Sequence, residues 1–203
     1  MFGSELTLQL VAMRLFSGLI IAIVQGLVIA GAAIALGDKG PRYDGRLNPF
    51  SHVDLGGLAS LILTGFGWSK PVAIDAAEMR VGRWGLVIAP LAGSVALLIA
   101  AWLITLLVIP ALTLLPHTPA ILAAAFLRTA AQLCVWMAIF TLLPVPPLAG
   151  AHFLAALGVR LPASTGLVVA WGLFIVSLLG ITRAVLTPVY TIVASLLLGA
   201  DFR

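Results

Sequence analysis

The sequence predicts an all-α, polytopic membrane protein with about five transmembrane helices and a re-entrant loop between the first and the second. Composition and the length of the apolar runs support this prediction. Of the 203 residues, 62% are hydrophobic and 9% are charged, and the mean hydropathy is +1.20. Soluble domains have roughly 45–50% apolar and about 25% charged residues. A soluble domain and a nucleic-acid-binding module are therefore excluded, and the single Cys134 excludes an intrachain disulfide.

The apolar runs set the order of the predicted helices. A helix that crosses a bilayer needs about 20 mostly apolar residues. Runs of about this length or longer cover residues 6–36, 84–109, 119–143 and 164–181. A last apolar piece, 184–199, contains Pro188 and could span as a kinked helix or lie partly in the interface. Neither an internal repeat nor a separate soluble domain is visible, so residues 1–203 are predicted to form one membrane domain.

The segment between the first two runs differs from them in length and composition. Residues 55–69 are apolar but short, and glycines interrupt them at Gly56, Gly57, Gly65 and Gly67. Backbone of this kind lies at membrane depth only where protein covers it. We therefore expect a re-entrant or interfacial segment between the charged stretches 38–54 and 70–83.

Basic residues orient the chain in the membrane. If five helices span, one side carries Lys39, Arg42, Arg46, Lys70, Arg80, Arg83, Arg160 and Arg203, and the other side carries Arg14 and Arg183. The side richer in lysine and arginine faces the cytoplasm. The 38–83 loop is therefore predicted to be cytoplasmic, and we expect the protein in the bacterial inner membrane.

Three of the polar residues inside the predicted spans, Arg128, Gln25 and Gln132, bear on function or helix packing. A charge at membrane depth costs about 2.5–3.5 kcal/mol on insertion scales and often marks function. Arg128 is such a residue, although a long side chain near a helix end can also extend to the interface. Gln25 and Gln132 are expected to form interhelical hydrogen bonds, and the two could contact each other.

The histidines alone do not predict a metal site. His52 and Asp54 lie two residues apart in a predicted loop, His152 follows a proline-rich turn, and His117 stands alone. A zinc site needs three or four converging ligands, which this pair does not supply. The sequence contains no phosphate-binding glycine pattern and no nucleophile elbow.

Four segments, in this order and spacing, resemble one protein family. They are Leu-Gly-Asp at 36–38, Gly-Arg-Leu-Asn-Pro-Phe-Ser-His-Val-Asp at 45–54, Phe-Gly-Trp-Ser-Lys-Pro-Val at 66–72 and Leu-Leu-Pro-Val-Pro-Pro-Leu at 142–148. Together they resemble the compact branch of the site-2 protease family, the intramembrane zinc metalloproteases. The resemblance covers residues 24–152. It implies a membrane fold that receives a partner helix between its own helices.

The residues that carry that family's chemistry are missing. Its HExxH motif places two zinc-binding histidines on one helical face, with a glutamate between them as general base. The resemblance puts these three positions at Gln25, Gly26 and Ile29, and the third ligand, an aspartate, at Ala149. No histidine precedes His52, so no shift of register restores the motif. The resemblance therefore implies an inactive homologue that holds no zinc.

Other positions also depart from the family or lie outside its zinc site. Thr141 replaces an asparagine, and the run Ile-Ala-Pro-Leu-Ala-Gly at 88–93 lacks the family's glycine and asparagine. His52 and Asp54 match positions outside the zinc site. They are expected to brace the re-entrant segment.

The preferred hypothesis for function is a non-catalytic structural or accessory subunit that binds other membrane proteins in a larger complex. In that hypothesis Gln25, Gly26, Ile29 and Ala149 line an apolar groove for a partner helix, and no cofactor is bound. The expected partners are other integral membrane proteins and lipid, and no nucleic acid.

Two alternatives remain open from the sequence. One is a membrane carrier, or a lipid- or pigment-binding protein, in which Arg128, Gln132 and the histidines supply polar contacts. The other is a metalloenzyme with relocated ligands at His52, Asp54 and His152. Fold alone does not decide between such functions.

Overall fold

The computed structural model describes residues 7–159 and 163–199, and for residues 163 and 164 it describes the backbone alone. These residues contain helices and no β-strand. The helices are α1 (Leu8–Leu36), α2 (Gly40–Tyr43), α3 (Leu55–Thr64), α4 (Gly85–Leu106), α5 (Val108–Leu114), α6 (His117–Phe140), α7 (Ala151–Ala156), α8 (Ala163–Leu178) and α9 (Ile181–Leu197). Short 3₁₀ turns lie at Pro49–His52 and Gly82–Trp84.

Several of these helices are long and apolar enough to cross a membrane. In the described residues they are Leu8–Leu36, Gly82–Leu114 and His117–Phe140, and α8 with α9 makes a fourth span if this pair, bent by 77°, is counted as one. The predicted helical architecture with several apolar spans is confirmed. The count of five spans, and whether 184–199 crosses the membrane, stay predictions. Arg160 and Arg203, which helped to orient the chain, lie outside the described residues.

The second apolar run, predicted over 84–109, extends further in the structure. Helix α4 ends at Leu106, and α5 begins at Val108 and continues the span to Leu114. Pro110 lies in the first turn of α5. Proline is tolerated there because the first N–H groups of a helix have no partner within the helix.

Helices α1, α4 and α6 pack together as the central bundle. Gly18, Ala22, Gly26 and Ala30 recur at every fourth position of α1, and all four are buried. Residues four apart lie on one helical face, and small residues there let neighbouring backbones approach closely. This face is where the other elements contact α1.

Residues 54–70, which we call the hairpin, fold back on themselves beside α1. The carboxylate Oδ1 of Asp54 caps α3 by accepting a hydrogen bond from the Gly57 amide at 2.7 Å. Helix α3 ends at Gly65, whose φ of +86° is the left-handed conformation that favours glycine. The Lys70 amide then donates to the His52 carbonyl at 2.8 Å, which closes the hairpin at its base.

Glycines let the two arms of the hairpin touch. A Cβ on Gly57 would collide with the carbonyl of Trp68, and one on Gly67 would collide with the carbonyl of Gly57. Ser60 Oγ donates to the Phe66 carbonyl at 2.8 Å and fixes the two arms to each other. The predicted glycine-rich segment thus has a covered backbone, as a re-entrant segment requires. Its position relative to a bilayer stays a prediction.

The stretch that follows the hairpin lies against the carboxyl end of α1. Gly37 ends α1 with a φ of +116°. The buried carboxylate of Asp38 accepts hydrogen bonds from the amides of Gly40 and Asp75, both at 2.8 Å. The Arg80 amide donates to the Leu36 carbonyl at 2.9 Å. The Leu-Gly-Asp segment therefore positions the 70–81 stretch beside α1.

Candidate functional site

We use the name closed site for four positions, Gln25, Gly26, Ile29 and Ala149. The resemblance places the zinc ligands and the general base of the family at these positions. Gln25 and Gly26 are neighbours in α1 and Ile29 lies one turn further, and all three are buried. Ala149 lies in the turn after α6 and is half-buried. Their surroundings decide whether a metal ion and a water molecule have room there.

Gln25 is fully buried, and its side chain bonds to another altered position. Its Nε2 donates to Thr141 Oγ1 at 2.6 Å, and that hydroxyl donates to the Met137 carbonyl at 2.7 Å. The hydrogen bond expected between helices is present, but it goes to Thr141 instead of Gln132. Within the described residues Gln25 Oε1 is buried without a partner. The first ligand position is thus tied to the helix end where the family has its asparagine.

Gly26 has its closest contact with the side chain of His52. A Cβ at position 26 would fall on the imidazole, at its Cγ and Nδ1. His52 is fully buried, so its ring occupies the space beside α1 that a glutamate side chain would need. The position of the general base is filled by a side chain of the same protein.

Ile29 and Ala149 belong to one apolar cluster. Ile29 is buried together with Ala30, Val72 and Ala89, and the half-buried Ala149 packs against this group. Hydrocarbon side chains supply no lone pair to a metal ion. Two of the three ligand positions are therefore joined by apolar packing.

Gly93, where the family's asparagine is missing, faces the same positions from α4. A Cβ there would lie 2.6 Å from Ile29 Cγ1 and 3.4 Å from Gln25 Cγ. Contacts of 2.6 Å are too short for real carbon atoms, so Ile29 fits only because residue 93 is glycine. The closed site is therefore filled by the chain's own side chains, and these positions leave no open groove for a partner helix, contrary to the expectation from the sequence.

The hydrogen bond of His52 fixes its tautomer. Its Nε2 lies 2.7 Å from the Arg46 carbonyl, which only accepts, so Nε2 carries the proton. Nδ1 is then a bare acceptor, and within the described residues it is buried without a partner. Burial lowers the pKa of His52, and the Arg46 charge lowers it further, although the Arg46 carbonyl acts in the opposite direction. His52 is therefore a neutral, structural imidazole.

The other suggested relocated ligands have structural partners as well. His152 Nε2 lies 3.0 Å from the Val72 carbonyl, which joins α7 to the stretch after the hairpin. Burial lowers the pKa of His152 against the opposing effect of that carbonyl. Asp54 caps α3. In residues 7–159 and 163–199 no group of three or more His, Cys, Asp or Glu side chains is placed to hold a metal ion.

Arg128 and Gln132, the two suggested polar contacts on α6, lie away from these hydrogen bonds. Arg128 is exposed and Gln132 is half-buried. Thr129 Oγ1 lies 3.9 Å from Met13 Sδ, which places Arg128 near the level of the first turns of α1.

Sequence reasoning did not anticipate how the closed site is filled. In the sequence the changes at Thr141 and at 88–93 are unconnected, whereas the structure joins both to Gln25 and Ile29. The usable signal was that the positions of the zinc ligands and the general base are all altered together, which indicates that they share one space. The packing of His52 on Gly26 had no local signal, because it depends on the path of the hairpin.

Comparison with curated proteins finds one relative that supports the resemblance. The chain is 31% identical over 129 residues to a protein of Bacillus subtilis (strain 168) named putative zinc metalloprotease YwhC. The match covers 60% of this chain and 58% of the relative, so it spans less than two thirds of the relative's length. No protein-family model matches the sequence, and no solved structure matches it.

Proposed function

We propose that this chain is a non-catalytic member of the site-2 protease family that serves as a structural or accessory subunit and binds other integral membrane proteins. The observation that carries the proposal is the filling of the closed site by the chain's own side chains. The match to a zinc metalloprotease supports the family, and the altered positions support the loss of its chemistry.

The residues of the closed site do not fit a catalytic zinc ion. Such an ion needs three protein ligands and an open position for water. Gln25 offers only an amide, Gly26 offers no side chain, and Ile29 and Ala149 offer hydrocarbon. The His52 ring and the Ile29 side chain also occupy the adjoining space. No hydrolytic step through a metal is therefore derived for this protein.

The outward faces of the helices support a membrane partner. Helix α4 presents an exposed apolar stripe that includes Leu91, Val95 and Ile99, and α9 presents one that includes Val185, Val189 and Ile192. In a bilayer these stripes contact lipid, and a helix of another membrane protein would replace that lipid by side-chain packing. We expect the complex in the bacterial inner membrane with the 38–83 loop on the cytoplasmic side.

The test is purification of the tagged chain from membranes in mild detergent, followed by mass spectrometry and by elemental analysis for zinc. A stoichiometric membrane protein without zinc would support the proposal. Val95→Phe on α4 and Val189→Phe on α9 form a matched pair that would locate the contact, since each adds bulk at an exposed position. A lone chain that carries about one zinc ion would refute the proposal.

A second candidate function is favoured by one cavity. An apolar cavity of about 240 Å³ lies between α1, α4 and α6, and its lining includes Ile21, Val24, Leu97 and Cys134. A dry apolar cavity of about 150 Å³ already binds benzene in an engineered protein. This cavity therefore suits the tail of a lipid or another apolar ligand, and a co-purifying molecule in an organic extract would support that function.

A further inference from the structure

Two arginines from distant parts of the sequence meet at the tip of the hairpin, at the turn where α3 ends. Arg14 Nη1 donates to the Ile62 carbonyl at 2.8 Å, in the last turn of α3. A Cβ placed on Gly65 would lie 3.4 Å from Arg183 Nη2 and 3.8 Å from Arg14 Nη2. The two guanidinium groups therefore flank the same point.

Aromatic rings hold Arg183 in this place. Its guanidinium carbon lies 5.1 Å from the ring centre of Trp136 and 5.9 Å from that of Phe66. Trp136 in turn stacks on Tyr190 at 4.0 Å between ring centres. Such cation–π contacts use the flat face of the guanidinium and leave its N–H edge for acceptor oxygens. Arg183 is an exposed residue, so its side chain can be reached from outside the protein.

No carboxylate among the described residues balances these two charges. The acidic residues that the structure describes, Asp38, Asp44, Asp54, Asp75 and Glu78, all lie between positions 38 and 78. None of them forms an ion pair or hydrogen bond with Arg14 or Arg183. Like charges side by side repel each other, and an anion between them turns this repulsion into attraction.

The length of α1 would place the tip of the hairpin at the level of a membrane surface. The stretch from Arg14 to Leu36 rises about 33 Å at 1.5 Å per residue, and the hydrocarbon core of a bilayer is about 30 Å thick. If the end of α1 near the 38–83 loop is at one interface, Arg14 and Arg183 are at the other. Phospholipid headgroups are the anions available at that depth.

We propose that Arg14 and Arg183 together bind a phosphate group at the tip of the hairpin, and that an anionic phospholipid supplies it. Arginine pairs with phosphate through two parallel N–H···O bonds, which are charge-assisted and short. Arg14 is anchored to the α3 carbonyls and Arg183 is stacked on Trp136, so both side chains are ordered before the lipid arrives. Pre-ordering lowers the entropic cost of binding. The site is independent of the proposed function, because it involves none of the closed-site positions.

The test compares wild type with Arg183→Gln, and uses Arg83→Gln as the control. Arg83 is also an exposed arginine, but it lies in the 3₁₀ turn before α4, within the stretch predicted to be cytoplasmic. Native mass spectrometry and the midpoint of thermal unfolding would be measured with phosphatidylglycerol and, separately, with inorganic phosphate. We expect Arg183→Gln to weaken phosphatidylglycerol binding about tenfold, as the loss of one charge-assisted hydrogen bond implies, and Arg83→Gln to leave it unchanged.

The two ligands distinguish the source of the phosphate. Stabilisation by phosphatidylglycerol without an effect of inorganic phosphate identifies a lipid headgroup, as proposed. An equal effect of inorganic phosphate at millimolar concentration would overturn the lipid as the source. Equal phosphatidylglycerol binding by wild type and Arg183→Gln would overturn the site itself.

A conservative pair keeps the test decisive if Arg183→Gln does not fold. Arg183→Lys and Arg14→Lys retain the positive charge and lose the paired N–H groups of the guanidinium. Each is expected to weaken phosphatidylglycerol binding several-fold. Unchanged binding in both variants would contradict the proposal.

Discussion

The base and the tip of the hairpin are held to α1 in opposite ways. At the base, the neutral, buried imidazole of His52 lies against Gly26, and this contact is close van der Waals packing. At the tip, Arg14 and Arg183 converge on the turn that ends α3, and the groups that meet there are positively charged guanidinium groups. The base is where the family resemblance places chemistry, yet its closed site contains no charged side chain. Arg14 and Arg183, whose charges meet at the tip, lie outside every motif of the family.

This contrast also separates the two regions by their response to salt. Close packing does not depend on ionic strength, whereas interactions of exposed charges are screened within a Debye length of about 8 Å at physiological salt. Changes at the base should therefore act equally at low and high salt, and lipid binding at the tip should weaken as salt increases.

The largest effect is expected from Gly26→Ala. The added methyl group collides with the His52 ring, and overpacking of this kind costs about 1–3 kcal/mol of the free energy of unfolding. Gly31→Ala is the matched control, because it lies in the same helix with no atom within 4 Å of the added Cβ. It should be neutral or slightly stabilising. Thermal unfolding in detergent, followed by tryptophan fluorescence, would measure both.

The partner of that clash can be identified by a second change. The collision involves the Cβ of His52 as well as its ring, so His52→Gly is the variant that removes it. Gly26→Ala should cost less in the His52→Gly background than in wild type. Additive costs would show that some other contact limits residue 26.

A smaller effect is expected at the cap of α3. Asp54→Ala removes the acceptor for the Gly57 amide and should cost about 1 kcal/mol of stability. Asp54→Asn keeps an acceptor oxygen and should cost only a few tenths of that. Equal losses for both variants would indicate that the negative charge of Asp54, and not its capping bond, is what matters.

Gln25→Leu should change stability modestly, between a loss of about 0.5 kcal/mol and a gain of about 2.5 kcal/mol. It removes a hydrogen bond to Thr141 and also removes a buried carbonyl oxygen that has no partner within the described residues. Loss of the hydrogen bond costs about 0.5–1.5 kcal/mol of stability, whereas removal of the unpaired buried oxygen restores about 1–3 kcal/mol. Thr141 remains bonded to the Met137 carbonyl in the variant. A loss well above 2 kcal/mol would show that the amide has a further role.

The smallest effect on stability is expected when the pH is lowered. Burial lowers the pKa of both His52 and His152. At mildly acidic pH the unfolded chain therefore binds more protons at these histidines than the folded chain does. Stability should therefore fall as the pH drops below about 6.5, the ordinary histidine value, and should be unaffected by these groups above it. His152→Gln should flatten part of this slope in a series of unfolding midpoints from pH 8 to pH 5. An unchanged slope would exclude His152 as a contributor.

The helices were predictable because charged residues or prolines bound the apolar runs. The predicted span 119–143 corresponds to His117–Phe140, and 6–36 corresponds to Leu8–Leu36. The end of the second span was wrong by several residues, since proline in a first helical turn does not end a span. Periodicity along a helix says little about such breaks.

The site was predictable only in part. The resemblance identified Gln25, Gly26, Ile29 and Ala149 as altered, and it fixed nothing about what replaced the lost groups. The contact of His52 with Gly26 depends on where the hairpin lies, which no local pattern encodes. The meeting of Arg14 with Arg183 follows from the same hairpin. Long-range contacts of this kind are set by tertiary packing.

The most direct test of the central claim is the zinc content of the purified wild-type chain after incubation with zinc and removal of the excess. The closed site offers no ligand set and no space, so we expect far less than one zinc ion per chain, and the same value in Gly31→Ala. About one zinc ion per chain, lost on His52→Gly or His152→Gln, would contradict the account and would establish a metal centre built from the relocated histidines.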